Sequence, residues 1–568
     1  MWSKLNVDMF TGTVKKEPME EQFRELGGRA LVVQYIVSCI PPACNPFSAE
    51  NMLLICGGVY AGTNFTTAHR LSIGGKSPLT GGIKECNVGG NLGTHLAEQG
   101  LKMIAVGGKP KDNKLFLLHI KADGSAELLD AEQYRGMGNY SFVEAMQKRF
   151  GDKVAVASIG IAGERLYKAA SIQVTEVGAG YPSRAAARGG IGALMGSKGL
   201  KAIVIEKPTK KFKVPYANEE LFRKAASELN KIVAAAAPTT HSHNYGTVAV
   251  IEHTGASGCL PVKNFSGDLF PDYKKVGVEV FMRNLLSRGG SNKKICQTGC
   301  LVQCSNVYND ADGKYLTSAL EYETIALFGP NCLISDLDAI ARMDYMCDDM
   351  GLDTIDTACA VAVAMECGKI NWGDAEAAIG LLEEIKQGTE FGNIMGNGCE
   401  ATGLHLGCKR IPAVKHQSLG AYDPRNTKGT GITYATSPQG ADHTAGITMG
   451  RAFDDTGRTA QAYASNRIQV AMCIADSMMC LFVFAIISQN FPQLLSMFVG
   501  LYGGEPDISR ITVGLGAKTL LTERYFNKQA GITAEQDKLP GFFHTEMSAA
   551  TGSVFDINPV ELETVFDF

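Results

Sequence analysis

The sequence predicts an α+β fold in which a β-rich N-terminal domain is followed by two mostly α-helical domains. Three observations predict it. Short apolar runs bounded by Gly, Pro, Asp or Lys fill the first third, apolar spacings of three and four appear beyond position 210, and 568 residues exceed what a single core supports.

Taken in order, the runs Leu53–Ala61, Leu101–Val106, Leu115–Ile120, Lys153–Ile161 and Lys201–Ile205 read as strands. Leu115–Ile120 and Ser125–Leu129 flank Lys121-Ala-Asp-Gly124, which has the chemistry of a hairpin turn. The basic, polar crossing Lys207-Pro-Thr-Lys-Lys-Phe-Lys213 ends this part, so the β-rich domain is placed at 1–210. Asn218–Ala236, Asp336–Gly351 and Asp374–Gln387 then carry helical spacing, the last with Asp374 as its N-cap. A second boundary at Cys408–Pro412 divides the rest into helical domains at 211–415 and 416–568. The chain has no internal repeat.

A formal charge of −4 supplies no basic field for nucleic acid or an anionic membrane. The start of the chain lacks a secretory pattern, and the longest apolar run, Cys480–Ile487, is far short of a membrane span. These features predict a cytoplasmic protein with no membrane span. In a reducing compartment the sixteen cysteines are free thiols or metal ligands. The 64 glycines gather in short motifs, as tight turns or close backbone approach to a ligand require.

Two kinds of motif carry chemistry. Cys296, Cys300 and Cys304 are spaced Cys-x3-Cys-x3-Cys. On a helix that spacing puts three sulfurs on one face, able to hold three corners of an iron–sulfur cube if a fourth thiolate, such as Cys480, arrives from elsewhere. Three buried thiols on an apolar helix face explain the spacing equally well, and zinc normally uses closer pairs. The second kind is glycine-rich and basic: Arg70 to Gly90, including Lys76, Asn87 and Gly89, and Arg184 to Lys201, including Arg188, Gly189 and Gly190. Backbone amides and guanidinium groups of this kind grip phosphate oxygens, although neither segment is a dinucleotide or Walker fingerprint.

Together these segments resemble the tungsten-containing aldehyde ferredoxin oxidoreductase family. The resemblance rests on Lys76–Gly90, Arg188–Ile203, Glu321-Tyr-Glu323, Asp348-Asp-Met-Gly351-Leu352-Asp353, Ala421–Arg425 and Tyr434–His443, six blocks in family order. It implies two pterin dithiolenes (bis-molybdopterin) holding tungsten or molybdenum, magnesium bridging their phosphates, and a neighbouring 4Fe–4S cluster. Arg70 and Arg184 would then reach phosphate, with Asn87 near the magnesium. Asp348 and Asp353, in the element that includes Gly351 and Leu352, would bind one pterin, and Asp476 the other. Cys296, Cys300, Cys304 and Cys480 would hold the cluster. Two departures mark this chain: the first cysteine gap is three residues rather than two, and Asp476-Ser-Met-Met-Cys480 stands where the family has Asp-x-x-Gly-Leu-Cys.

The resemblance also implies oxidation of a small-molecule aldehyde to an acid, with electrons passed to ferredoxin or a ferredoxin-like subunit. Glu323 is the candidate base, Glu321 its alternative, and His443 the candidate donor to the substrate oxygen. Cys259 is a candidate tungsten ligand, weighed against a buried structural thiol. Two other readings stand beside this one: a tungsten reductase subunit acting on an activated carboxylate or aromatic acyl substrate, and a non-catalytic cluster-bearing relay. A homodimer or a place in a larger complex is the assembly expected of such a chain.

Overall fold

Residues 1–450 and 454–567 are described in a computed structural model. The N-terminal third folds as two six-stranded sheets. The first has the order β2-β1-β6-β3-β4-β5, from Ser3–Asp8 (β1), Thr13–Pro18 (β2), Leu53–Gly57 (β3), Leu71–Lys76 (β4), Ile83–Val88 (β5) and Leu101–Gly107 (β6). The second has the order β11-β10-β9-β12-β7-β8, from Phe116–Ile120 (β7), Ala126–Asp130 (β8), Ala155–Ser158 (β9), Ile172–Val174 (β10), Arg184–Ala186 (β11) and Leu200–Ile205 (β12). Leu53, Ile55, Leu71 and Ile73 of one sheet share a core with Leu118, Ile120, Ala157 and Ile203 of the other. Strands buried on both faces lose the polar alternation, which explains their continuous apolar runs.

The expected strands form, with two trimmed. The Leu53–Ala61 run ends as strand at Gly57, because Ala61 N–H turns back to the Gly58 carbonyl at 3.1 Å. The Lys153–Ile161 run is strand only over Ala155–Ser158, and Ile161 starts a helical turn. The β7–β8 hairpin closes through Gly124 N–H to Lys121 O at 2.9 Å, with Gly124 at φ +87°. The first third also holds helices that no periodicity announced. Gly28–Cys39 is buried on nearly every side, so it carries no amphipathic stripe.

Beyond position 210 the chain is mostly helical, apart from a three-stranded sheet (Ser291–Lys294, Ser305–Asn309, Tyr315–Ser318) and one two-stranded ribbon. Glu219–Ala235, Leu337–Met350 and Ala375–Gln387 match the expected helices. Their N-caps are Asn218, Asp336 and Asp374, each accepting first-turn N–H groups. Among the described residues no single helix is long and apolar enough to cross a membrane.

Candidate active site

Strand register builds one wall of a cavity of about 290 Å³. Ser72 pairs with Asn87 and Leu71 with Val88, which brings Arg70, just ahead of β4, beside Asn87 in β5. Arg70 Nε donates to Asn87 Oδ1 and Nη2 to the Asn87 carbonyl at 2.9 Å. Its remaining nitrogen, Nη1, faces the Cys296 sulfur at 4.0 Å. Arg184 opens β11, the edge of the second sheet, and donates to Ser305 Oγ at 2.5 Å with Glu321 at 3.9 Å.

The cysteine segment is not a helix, which corrects the geometry imagined from its spacing. Residues 295–304 form a looped connection between two antiparallel strands, with Gly299 at φ +79° and Gln303 at φ +50° breaking any helical run. The sulfurs still converge. Cys300 and Cys480 both act on Cys296, and Cys480 acts on Cys300 and Cys304 as well. Cys480 reaches them because helix Gln461–Met478 ends in a 115° bend before Leu481–Ile487. Its N–H is held by Thr67 Oγ1 at 3.2 Å.

The Cys300 hydrogen bond, helped by Arg70 and Arg184, brings Cys296 down to about 5 against the opposing effect of burial. The proton stays on Cys300, which is pushed up, and burial raises Cys304 and Cys480. The backbone crowds the same place. Gly90 N–H donates to the Cys296 carbonyl at 2.6 Å, and a Cβ on Gly89 would come within 2.9 Å of that oxygen. Among the described residues no three His, Cys, Asp or Glu side chains are gathered around a single-ion position. The thiol set is spread more widely than one ion needs.

The opposite wall is acidic. Glu321 precedes helix Tyr322–Phe328, and its carboxylate accepts from Thr247 Oγ1 instead of capping the helix and faces Arg184. Glu323, the second residue of the helix, accepts from Ala421 N–H at 2.7 Å through Oε2. Its other oxygen has no hydrogen-bond partner and lies 3.7 Å from His443 Nε2. Burial raises both glutamates, with Arg184 opposing at Glu321 and His443 opposing at Glu323. Asp344 and Asp348 line the cavity one helical turn apart. Burial pushes both up, Asp344 to about 7, with Glu321 adding to the rise at Asp344 and Asp344 adding to the rise at Asp348.

Several residues singled out from the sequence have protein partners instead of facing this cavity. Arg188 spends its guanidinium on the Ala441 and Ser418 carbonyls, both at 2.6 Å, and on Asp353 at 3.3 Å. Asp353 also caps helix Thr354–Glu366 through Ile355 N–H, so it positions the helix end whose Thr354 and Ile355 do line the cavity. Lys76 is bound to the Pro42 carbonyl. Asp476 is paired with Arg29 at 3.3 Å, and it is the Asp476 backbone carbonyl that receives Asn87 Nδ2 and Ser72 Oγ, both at 3.3 Å.

Gly189, Gly190 and Gly351 take left-handed conformations. Gly351 ends helix Leu337–Met350, and Leu352 is buried in a bridge to Ala170. Cys259 does not line the cavity. Its buried thiol donates to the Asn426 carbonyl at 3.3 Å, and burial raises it to about 12.

Sequence reasoning missed Arg29, Asp344, Thr247 and Ser318. Arg29 binds Glu523 through two nitrogens at 2.8 Å as well as Asp476, yet it stands in an unremarkable Gly-Gly-Arg-Ala stretch. Asp344 precedes Asp348 by four residues on one helix, a spacing that could have flagged it. A larger cavity of about 1160 Å³ lies elsewhere, beside Lys415 and Arg524. Lys415 and Arg524 there are paired with Asp537, at 2.7 and 2.9 Å, whereas the smaller cavity holds the unpartnered Arg184 Nε, Glu323 Oε1 and His443 Nδ1. Unmet buried polar groups mark a place built for a ligand.

Residues 4–207 match the family model described as the aldehyde ferredoxin oxidoreductase N-terminal domain, and residues 224–566 match the model for its domains 2 and 3. The tungsten-containing aldehyde ferredoxin oxidoreductase of Pyrococcus furiosus is 31% identical, over 96% of this chain and 92% of that protein. The WOR-like subunit of an aliphatic sulfonate oxidoreductase from the same organism is 27% identical, over 78% and 74%. Among solved structures, the active-site complex BamBC of benzoyl coenzyme A reductase superposes with a TM-score of 0.80 at 18% identity, over 100% of this chain and 93% of that one, which shows a shared fold. With both family models matched along the chain, the protein belongs to the aldehyde ferredoxin oxidoreductase family and is an oxidoreductase of that type.

Proposed function

We propose that the chain oxidises an aldehyde to a carboxylic acid at a tungsten–bis-pterin centre, with electrons leaving through a 4Fe–4S cluster to ferredoxin. The observation that carries this reading is one cavity lined on one side by converging thiols and on the other by the Glu323–His443 pair. When bound, the pterin-held metal supplies two-electron redox chemistry and the cluster passes electrons singly.

The residues fit such groups. Cys296, Cys300, Cys304 and Cys480 supply a soft sulfur donor set, with Arg70 and Arg184 offsetting thiolate charge. Gly89, Asn87 and the free Arg184 Nε suit a phosphate-bearing group with its magnesium, and Asp348 offers a carboxylate to pterin N–H donors. Asp476, Asp353 and Arg188 fit as supports that hold these walls from behind.

Glu323 is the base in this reading. Its unshared Oε1 is free to take a proton from water adding to the carbonyl, while Glu321 is engaged by Thr247 and Arg184. His443 donates from Nε2 toward the substrate oxygen, and Asp442 lies 3.6 Å from its Nδ1. Burial lifts the Glu323 carboxyl, which suits a group that must both accept and release a proton.

The test combines metal analysis of anaerobically purified protein with aldehyde-dependent reduction of a viologen dye. Tungsten or molybdenum with iron, and aldehyde turnover, are expected. Iron without tungsten or molybdenum would instead make the chain a relay subunit. Full metal content with turnover only toward an acyl substrate, in a complex with co-purifying subunits, would favour the reductase reading.

A further inference from the structure

One buried amine stands outside the active-site cavity and faces a cavity of its own. Lys102, in β6, is 4% exposed and lines a space of about 400 Å³ with Trp2, Met19, Pro215, Leu501 and Tyr502. That volume falls in the range of small-molecule sites. Lys102 Nζ donates to the Arg24 carbonyl at 2.7 Å and to the Tyr502 hydroxyl at 3.2 Å, and it lies 5.3 Å from the Tyr502 ring centre. Tyr502 is itself fixed by donating to the Val59 carbonyl at 3.2 Å.

No carboxylate accompanies this amine. Among the described residues, none lies within ion-pair distance of Lys102 Nζ. Glu25, whose charge favours the ammonium, is held instead by Arg510, at 2.5 and 3.2 Å. The charged groups at the cavity, Glu21 and Arg24, face each other at 3.3 Å. The buried Lys4, Lys84 and Lys201 differ, because each meets a carboxylate. An ammonium without a counter-ion is costly to bury, so burial brings Lys102 down to about 7 and leaves much of it as free amine near neutrality. A desolvated lysine of this kind is a nucleophile toward carbonyl carbon.

We propose that the Lys102 cavity is an aldehyde-capture site, in which this amine and a small uncharged aldehyde form an imine. The amine attacks the carbonyl carbon and a C–N bond forms. The carbonyl π pair moves to oxygen, which takes a proton relayed from nitrogen by the Tyr502 hydroxyl. The nitrogen lone pair then expels that oxygen, which leaves as water with the second nitrogen proton. One amine and one aldehyde give one imine and one water, with no change of oxidation state. The capture does not pass through the metal centre, so it stands apart from the proposed oxidation.

The experiment incubates the intact holoprotein anaerobically at about pH 7 with benzaldehyde and sodium cyanoborohydride, which reduces an imine to a stable benzylamine. Peptides are then mapped by mass spectrometry. Benzylation of Lys102 should outrun that of the exposed Lys224 and Lys231 by more than about tenfold, because an ordinary lysine amine is almost wholly protonated at that pH. At about pH 9 the ratio should shrink, since an ordinary lysine still gains free amine there while a group at about 7 no longer does. An unmodified Lys102 beside labelled surface lysines would overturn the proposal. So would a label confined to the α-amino group of Met1, which lines the same cavity, or a Lys102 label that rises with pH in step with Lys224.

Discussion

Cys296 at the cavity and the enclosed Cys332 and Cys399 occupy opposite electrostatic settings within one chain. Around Cys296, a thiol hydrogen bond and two guanidinium groups outweigh burial and favour the thiolate. Around Cys332 and Cys399, burial dominates and holds the thiols protonated, with Cys332 donating to the Leu327 carbonyl at 3.3 Å. A thiolate is the metal ligand and a buried thiol is only a small apolar side chain. Cysteine count and spacing do not separate these cases. The neighbours do.

The sharpest break of this comparison is a pair of substitutions. Cys296→Ser should strip most of the iron and the visible absorbance and lower aldehyde turnover by more than about 100-fold, beyond what groups supporting a metal site usually cost. Cys399→Ser should leave iron content and spectrum unchanged. Equal iron loss in both would erase the distinction.

Glu323→Gln comes next. It should keep both metals and lower kcat by about 10²–10⁴-fold, the range for general base catalysis, while Glu321→Gln costs about tenfold or less. The pH profile gives the same residue a sign. A carboxyl raised by burial holds its proton to higher pH, so the base form is lost as pH falls through a value above the ordinary glutamate range. The acid limb of kcat/KM should therefore lie above that range in the native enzyme and disappear in Glu323→Gln. A limb at the ordinary carboxylate position would place the base elsewhere.

Arg70→Gln tests the cation beside the thiols. With iron content retained, removal of its charge should make the cluster potential more negative, on the order of tens of millivolts, because net charge near the sulfurs sets the potential. An unchanged potential would reduce Arg70 to a bracket for Asn87. The smallest effect belongs to the enclosed thiols: Cys399→Ala should cost about 1–2 kcal/mol of stability through lost packing, read by denaturant unfolding, with turnover unaltered.

Local chemistry made much of the molecule legible from residues alone. Asn218, Asp336 and Asp374 cap the helices that their apolar spacing announced, because a capping oxygen acts within one turn of its own position. The β7–β8 hairpin and the apolar strands followed in the same way. Motif order pointed to the family, and with it to Glu321, Glu323, His443, Asp348 and the four cysteines, all of which converge on or beside one cavity.

What each charged residue touches was decided by the tertiary structure. Nothing within reach of Arg188 or Lys76 in sequence reveals that carbonyls more than thirty residues away consume their protons. Arg29 and Asp476 are separated by 447 residues and meet only because helix Gly28–Cys39 packs on helix Gln461–Met478. The cysteine loop, closed by a left-handed glycine rather than a helix, gathers its sulfurs through long-range contacts with Thr66, Gly90 and Cys480. Propensities and caps act over a few residues, whereas a buried charge finds its partner only after distant segments have folded together.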